Sequence, residues 1–245
     1  MNSPPLLQTI SAPVDPYPVN TSVDVTASFL DPDLNDTHTA DWDWGDGLTS
    51  TGTLDENNQT VSGSHVYTSA GVYIITLKIT DAAGAFSALS YRYLVIYDTG
   101  AGFVTGGGWF DSPAGAYPAD PTLTGKATFG FVSKYQKGAQ IPTGNTEFQF
   151  KVAGLTFSST SYDWLVIAGA KAQYKGTGTI GGSGYYRFML TAIDGQISGG
   201  GGVDKFRIKI WDPVTDQVIY DNQLGAGDDS LPSTVIGGGS IVIHK

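Results

Sequence analysis

The side chains best suited to chemistry in this sequence are carboxylates gathered in turns. Asp31-Pro32-Asp33-Leu34-Asn35-Asp36 places four oxygen-bearing side chains in six consecutive positions. Hard cations such as Ca²⁺ take oxygen donors of this kind in sets of about six to eight. The loop is not an EF-hand. Its sixth position is Asp36, where that motif needs glycine, and its twelfth is Trp42, where it needs a bidentate glutamate. An acidic turn also forms without an ion, because Asp and Asn side chains accept hydrogen bonds from nearby backbone N–H groups.

A second group, Asp41, Asp43 and Asp46, surrounds Trp42 and Trp44. Paired carboxylates beside aromatic rings are the raw material of a glycosidase. Here Asp41 and Asp43 alternate with the tryptophans, so they point away from any core those rings fill. Asp46 lies in Gly45-Asp46-Gly47, a turn whose carboxylate accepts backbone N–H bonds. His38, His65 and His244 have no helix-borne metal spacing. His65, two residues before Tyr67, reads as structural, and His244 as solvated. Gly182-Ser183-Gly184 lacks the strand–turn–helix setting of a serine nucleophile. With no cysteine in the chain, thiolate catalysis, disulfides and Cys-ligated metals are excluded. No set of nucleophile, base and oxyanion donors can be assembled, so the chain is expected not to be an enzyme.

Aromatic residues are the third resource, since their faces can stack on sugars. Most of those in the second half alternate with polar neighbours and belong in a core. Tyr185 and Trp211 have the opposite parity to the apolar residues around them, which predicts exposure and makes them the candidates for carbohydrate binding.

The elements that carry these groups are strands. Apolar residues recur at every second position, as in Val23, Val25, Ala27 and Phe29, or Ala40, Trp42 and Trp44, or Tyr73, Ile75, Leu77 and Ile79. Leu89, Tyr91, Tyr93, Val95 and Tyr97 read as one face of a later strand. In the second half the sets include Ala127, Phe129 and Phe131, then Phe148, Phe150 and Val152, then Tyr162, Trp164 and Val166. Tyr186, Phe188, Leu190 and Ala192 follow, then Phe206, Ile208 and Ile210, and the chain closes on Ile241-Val242-Ile243. Asp212 to Asp216 reads as a hairpin turn. The 33 glycines show no collagen period and mark turns. The runs Gly199 to Gly202 and Gly237 to Gly239 open no helix and cradle no phosphate.

Charge divides the chain. It carries 13 Lys+Arg and 23 Asp+Glu, a net charge of −10. Residues 1–98 hold two basic and 12 acidic side chains, whereas residues 99–245 hold 11 of each. The expected organisation is an all-β chain with a sandwich at 1–98, a short joint at 99–102, and a second, glycine-rich sandwich or jelly-roll-like domain at 103–245. The acidity argues against nucleic acid, and no apolar run is long enough to enter a membrane. The N-terminus shows no basic stretch followed by an apolar run. Only 15% of residues are charged, and Thr, Ser and Gly abound. The expectation is a mature or excised piece of a secreted or cell-surface bacterial protein whose signal lies upstream.

DWDWGDG (Asp41 to Gly47) followed by SHVYTSAGVYIITLKITDAAG (Ser64 to Gly84) resembles the PKD domain, an immunoglobulin-like sandwich, over about residues 6–97. Tyr67 stands where such a fold has its corner tyrosine. In that fold the loop holding Asp31 and Asp33 and the loop beginning at Asp81 share one end, where the first strand also starts. Calcium-binding members of the family resemble this arrangement, which implies a Ca²⁺ site formed by Asn2, Ser3, Asp31, Asp33 and Asp81. The resemblance also implies a non-catalytic spacer or interaction module. Gly102 to Phe110, Leu123 to Tyr135, Pro142 to Phe150 and Ile236 to Lys245 resemble a post-COAP-like terminal domain of long secreted bacterial proteins, which implies location more than activity. The expected function is therefore a spacer or adhesion unit, stiffened by calcium, with other extracellular domains or surface polymers as partners. Two alternatives remain: a polysaccharide-binding accessory region of a larger enzyme, and a fibre subunit whose first strand, Leu6 to Ser11, adds to a neighbouring sheet.

Overall fold

The computed structural model describes residues 2–13, 17–33, 36–69, 71–98, 100 and 102–244, with the backbone alone at 72, 92, 93, 95 and 97. These residues form strands and one short 3-10 turn, Lys151–Ala153. They divide into two compact units, Met1–Tyr97 and Asp98–Lys245. Thr99 and Ala101 of the expected joint lie outside the described residues.

In chain order the first unit contains β1 (Leu6–Ser11), β2 (Tyr17–Pro18), β3 (Ser22–Leu30), β4 (His38–Asp43), β5 (Thr49–Thr51), β6 (Thr53–Asp55), β7 (Thr60–Val66), β8 (Gly71–Asp81) and β9 (Phe86–Tyr97). One sheet has the order β1-β3-β7-β6 and the other β2-β9-β8-β4-β5. Their inner faces share one core that includes Val23, Val25, Phe29, Trp42, Ile75 and Leu77. Trp42 and Trp44 are fully buried with stacked rings 5.6 Å apart. Burying a side chain of this size stabilises a fold by roughly 4–6 kcal/mol. Each indole N–H finds an acceptor, Ser62 O for Trp42 and Ser50 Oγ for Trp44. Tyr67 is buried and its hydroxyl donates to Trp44 O at 2.8 Å, which fixes the corner. His65 stacks on Trp44 at 5.0 Å and sits 2.7 Å from Asp46, whose other oxygen accepts Leu48 N–H. Asp41 and Asp43 are exposed, as the alternation requires.

One face departs from the alternation. Leu89 and Tyr91 lie against the core, but so do the fully buried Leu94 and Ile96. Pairing steps from Ile75↔Tyr91 to Tyr73↔Leu94, so β9 carries one more residue than β8 across this interval. A bulge of this kind turns the following residues to the opposite face. The expected set of Leu89, Tyr91, Tyr93, Val95 and Tyr97 is therefore split, and the last three side chains lie outside the described residues.

The second unit runs β10 (Phe103–Ser112), β11 (Gly125–Lys134), β12 (Thr143–Phe150), β13 (Leu155–Ala168), β14 (Lys171–Ile180), β15 (Ser183–Ile193), β16 (Lys205–Trp211), β17 (Val218–Asp221) and β18 (Gly238–His244). All belong to one antiparallel sheet, ordered β17-β16-β15-β14-β13-β12-β11-β10-β18. It is an up-and-down meander rather than the Greek-key crossover of a jelly roll, and its last strand returns beside its first. Its core face folds on itself. Phe129 of β11 stacks on Phe206 of β16 at 4.0 Å, and Phe148 of β12 meets Tyr220 of β17 at 4.6 Å. Val152 is exposed in the 3-10 turn and does not continue the β12 face.

In β13 the expected set Tyr162, Trp164 and Val166 is also divided. Tyr162 pairs with Gly176 and Trp164 with Lys175, so Asp163 is an extra residue. Beyond it Leu165 and Ile167 take the core face, while Trp164 and Val166 are buried outside that core cluster.

The sheet is closed by a strand that changes partners. Thr234–Ile236 bonds to the start of β16, through Phe206 N–H to Thr234 O and Ile236 N–H to Asp204 O. The chain then turns at Gly237–Gly239 and pairs with β10 as β18. A Cβ at Gly108 would meet Gly238 O at 2.1 Å, so the two backbones approach more closely than any side chain allows. Two buried carboxylates then satisfy the free edge of β18. Asp204 accepts N–H from Gly195 and Ile241, at 2.8 and 2.7 Å, and Asp194 from Gln196 and Ile243, both at 3.0 Å. A buried donor left unpaired costs about 1–3 kcal/mol. Asp204→Ala orphans two, so urea denaturation is expected to show a loss of roughly 2–5 kcal/mol, and a loss below about 1 kcal/mol would contradict this closure.

Candidate metal centre

One end of the first sandwich gathers chain segments remote in sequence. β3 ends there and leads into Asp31–Asp36, β8 ends there at Asp81, and the residues before β1 pass beside both. Asp31 and Asp81 are buried. Oxygens of Asp31, Asp36 and Asp81 all lie within 4.8 Å of one another. Ligands about 2.4 Å from a central Ca²⁺ stand at most about 4.8 Å apart across the ion, so the spacing suits a shared cation. Asp36 Oδ2 is buried without a hydrogen-bond partner, the condition of an acceptor whose partner is an ion. All three donors are carboxylates, the chemistry of a hard-cation site.

The five residues implied by the family resemblance meet here. Asn2 Nδ2 donates to Asp81 Oδ2 at 2.8 Å, Ser3 N–H to Asp33 Oδ2 at 2.6 Å, and Asp33 N–H to Asp31 Oδ1 at 2.7 Å. Their roles differ from the expectation. Asp33 is turned toward Ser3 and ties down the N-terminal segment, while the third clustered carboxylate is Asp36. Leu34 and Asn35 of the same loop lie outside the described residues. The amide of Asn2 holds the Asp81 carboxyl below its usual range, aided by the N–H of Ala85 and its neighbours and opposed by burial.

His38 completes the centre and was not anticipated. Its Nε2 is 2.9 Å from Asp31 Oδ2 and its Nδ1 is 2.9 Å from Glu56 Oε2. Glu56 Oε1 also accepts the backbone N–H of His38 at 2.8 Å. The signal was parity: His38 shares the inward face of Ala40 and Trp42, and an inward histidine at a strand end meets whatever the adjoining loop presents.

Tyr185 and Trp211 lie elsewhere, in β15 and beside it in β16. Tyr185 is 60% exposed. Trp211 is half-buried, with the ammonium groups of Lys175 and Lys209 over its ring at 5.5 and 5.3 Å. Lys209 also pairs with Asp228, and Arg187, opposite Trp211 in register, pairs with Asp163. His244 is exposed, as expected, and its ring stacks on Phe103 at 4.1 Å.

Burial disfavours the charged form of His38, but the hydrogen bonds and charges of Asp31 and Glu56 outweigh it and raise its pKa above the ordinary 6.5. A raised folded-state pKa stabilises the fold when the group is protonated. With divalent ions chelated, this stabilisation is expected to be full below about pH 6.5, the unfolded value, and to fade as pH rises through the folded value. Melting curves between acid and alkaline pH should show that slope for the parent chain and a flatter one for His38→Gln; equal slopes would contradict the arrangement.

Residues 2–95 match the family model described as the PKD domain. Among solved structures the chain is similar to the PKD domain of an M14-like peptidase from Thermoplasmatales archaeon SCGC AB-540-F20, at 23% identity over 39% of this chain and 98% of that one, with a TM-score of 0.34. It is similar also to the PKD1 domain of the Vibrio cholerae metalloprotease PrtV, at 26% identity over 38% of this chain and 99% of that one, with a TM-score of 0.29. A third structure, described as carbohydrate-binding modules from the beta-sandwich superfamily, is 17% identical over 99% of this chain and 92% of that one, with a TM-score of 0.32. No curated protein matches the chain. The family match, the two-sheet sandwich and the tyrosine corner agree: the N-terminal unit of this chain is a PKD domain.

Proposed function

We propose that the chain is a non-catalytic extracellular module of a secreted or cell-surface bacterial protein, a spacer or adhesion unit whose PKD domain is stiffened at one end by Ca²⁺. The observation that carries this reading is the convergence of Asp31, Asp36 and Asp81 with an unpartnered buried oxygen among them. A cation there joins the β3–β4 loop to the end of β8, while Asn2 and Ser3 lace the N-terminal segment to Asp81 and Asp33. The three places where the chain enters or leaves this end of the sandwich become one cross-linked unit. PKD domains are typical of extracellular proteins and are typically non-catalytic, and no helix among the described residues is long and apolar enough to cross a membrane. The partners that suit this role are other extracellular domains or surface polymers. The likeness of the second unit to a terminal domain of secreted proteins rests on its sequence motifs and agrees with the same placement.

A second reading, a polysaccharide-binding accessory region of a larger enzyme, draws support from the outer face of the second unit. A third, self-assembly by exchange of β1, draws on that strand's position at an edge, paired with β3 alone. Leu7, however, is buried in the core of its own sandwich.

A ligand held only by the folded state at about 100 times its dissociation constant stabilises by about 2.7 kcal/mol, on the order of 10 °C for a domain of this size. Millimolar Ca²⁺ is expected to raise the melting temperature of the first unit by that order. Asp31→Ala should abolish the rise and, having lost the partner of His38, melt lower without calcium. Asp36→Asn should abolish the rise while leaving the ion-free melting temperature unchanged or higher. No shift with Ca²⁺ in the parent chain would end this reading. Light scattering across a concentration series is expected to give a monomer mass throughout, and mass that grows with concentration would favour strand exchange.

A further inference from the structure

The outer face of the second unit carries a trough floored by glycine. The antiparallel register places Ser240, Gly107, Gly130, Glu147 and Ser158 in one row across β18, β10, β11, β12 and β13. These residues have the parity opposite to the core positions Ile241, Phe129, Phe148 and Phe157, so the row faces outward. A Cβ built at Gly130 would meet no atom within 4 Å, and one at Gly107 would meet only Phe129 O, at 3.7 Å. Two adjacent strands therefore present bare backbone with open space above it. A depression of about 260 Å³ lies at the β11–β13 end of this row, lined by Thr128, Gly130, Glu147, Gln149 and Thr156. The neighbouring row on one side, Trp109, Thr128, Gln149 and Thr156, forms a wall. Thr105 and Val132 lie in the row opposite.

Strand geometry sets the dimensions. Five strands at about 4.8 Å spacing make the row roughly 19 Å long, with the bare floor on its two glycine strands, and same-face rows about 7 Å apart leave room for one flat ring between the walls. Trp109 is held in place. Its ring lies so close to Gly237 and Gly238 that a Cβ at either would collide with it, and Lys126 Nζ sits 4.4 Å from its centroid. The site is thus pre-formed, which reduces the ordering cost of binding.

The lining decides what fits. Thr128, Thr156 and Ser158 hydroxyls and the Gln149 amide both donate and accept hydrogen bonds, and Glu147 accepts only. Ser158 Oγ already donates to Glu147, which orients the carboxylate. Two ionised groups stand at the trough, that carboxylate beside the floor and the Lys126 ammonium held over the Trp109 wall; their opposite charges cancel, so the site has no net positive charge with which to hold phosphates or uronates. Backbone groups in the floor are spent on the sheet ladder, so no peptide strand can add here. Paired hydroxyl groups of a sugar, each both donor and acceptor, complement this surface. We propose that the trough over Gly107 and Gly130, between Trp109 and Glu147, binds a segment of a neutral polysaccharide. The site lies wholly in the second unit and stands apart from the calcium reading, which reports at Asp31 and Asp36.

Affinity gel electrophoresis against a panel of neutral polymers (soluble β-glucans, xyloglucan, mannans) and acidic ones (alginate, polygalacturonate), with pull-down on cellulose and chitin, tests the assignment. At least one neutral glycan is expected to retard or retain the full chain. Gly130→Val fills the floor at a strand position that tolerates a β-branched residue, so it should weaken binding at least tenfold with the melting temperature unchanged or raised. Glu147→Ala, at an exposed position, should weaken it at least fivefold. Failure of every neutral glycan to bind, binding of acidic polymers alone, or full binding by both variants would each overturn the proposal. Loss of the calcium shift with retained glycan binding would remove the calcium reading and leave this one standing.

Discussion

The interaction on which both units depend is a buried or half-buried aspartate carboxylate that accepts hydrogen bonds from a distant segment of chain. The sequence has no cysteine, so no covalent tie holds a loop to a strand. Asp33 takes the N–H of Ser3, Asp81 the amide of Asn2, Asp204 the N–H of Ile241 and Asp194 that of Ile243. Each bond spans tens of residues and joins an element that would otherwise be free to fray. Charge-assisted bonds of this kind are roughly twice as strong as neutral ones, and a carboxylate can serve two donors at once. Asp204 does so, and its removal uncouples the hairpin before β16 from the final strand together.

That closure explains why the second unit has a usable outer face. A nine-stranded meander with a single core face must curl until its ends meet, and the two ends here are β17 and β18. Closing the circuit with the Thr234–Ile236 pairing and the glycine corner at Gly237–Gly239 avoids an open edge, the usual route to unwanted strand addition. The outward side then divides in two. Around Arg207 of β16 and Gln173 of β14 it is packed: Arg207 is buried against Asp221 and the carbonyls of Ala226 and Gly227, and Gln173 donates to Asp228 O, so the 223–235 loop covers that part and leaves Tyr185 exposed. Across β18 to β13 it is uncovered and floored with glycine. Glycine weakens a strand interior, so a bare floor in mid-sheet is a stability cost that makes sense where something else approaches the backbone.

Much of this was legible in period-two alternation, because a half-buried strand can place its apolar residues only one way. The Trp42 and Trp44 pair, the Tyr67 corner and the exposed Asp41 and Asp43 all follow from it. Alternation fails where the backbone gains a residue. The bulges near Tyr91 and at Asp163 turn Leu94, Ile96, Leu165 and Ile167 inward, and nothing in their local composition announces an extra residue, since what decides is the packing of the partner strand. The candidate metal centre was legible to the level of segments and not of atoms. Three acidic segments meeting at one end follow from topology; that Asp36 and not Asp33 joins Asp31 and Asp81 depends on how the loop turns after Pro32. His38 could have been found by extending the inward face of β4 by one step past Ala40.

The two candidate sites also fit the division of charge. Residues 1–98 carry 12 acidic and two basic side chains, and their summed field draws cations while opposing the compact state through self-repulsion. A divalent ion among Asp31, Asp36 and Asp81, as proposed, would relieve that repulsion where three carboxylates meet, so the acidity that weakens the ion-free sandwich would make the ion-bound one firm. His38 supplies a smaller version of the same relief when it is protonated. Residues 99–245 balance 11 acids with 11 bases, and their trough carries one carboxylate and one ammonium, Glu147 and Lys126, among hydroxyls and an amide. A domain of zero net charge has little long-range field with which to gather a charged polymer, which leaves short-range hydrogen bonding and ring stacking as the main forces at the trough. On the two proposals, one unit would be locked by a small ion and the other would lie along a neutral chain, each through residues of its own core and faces.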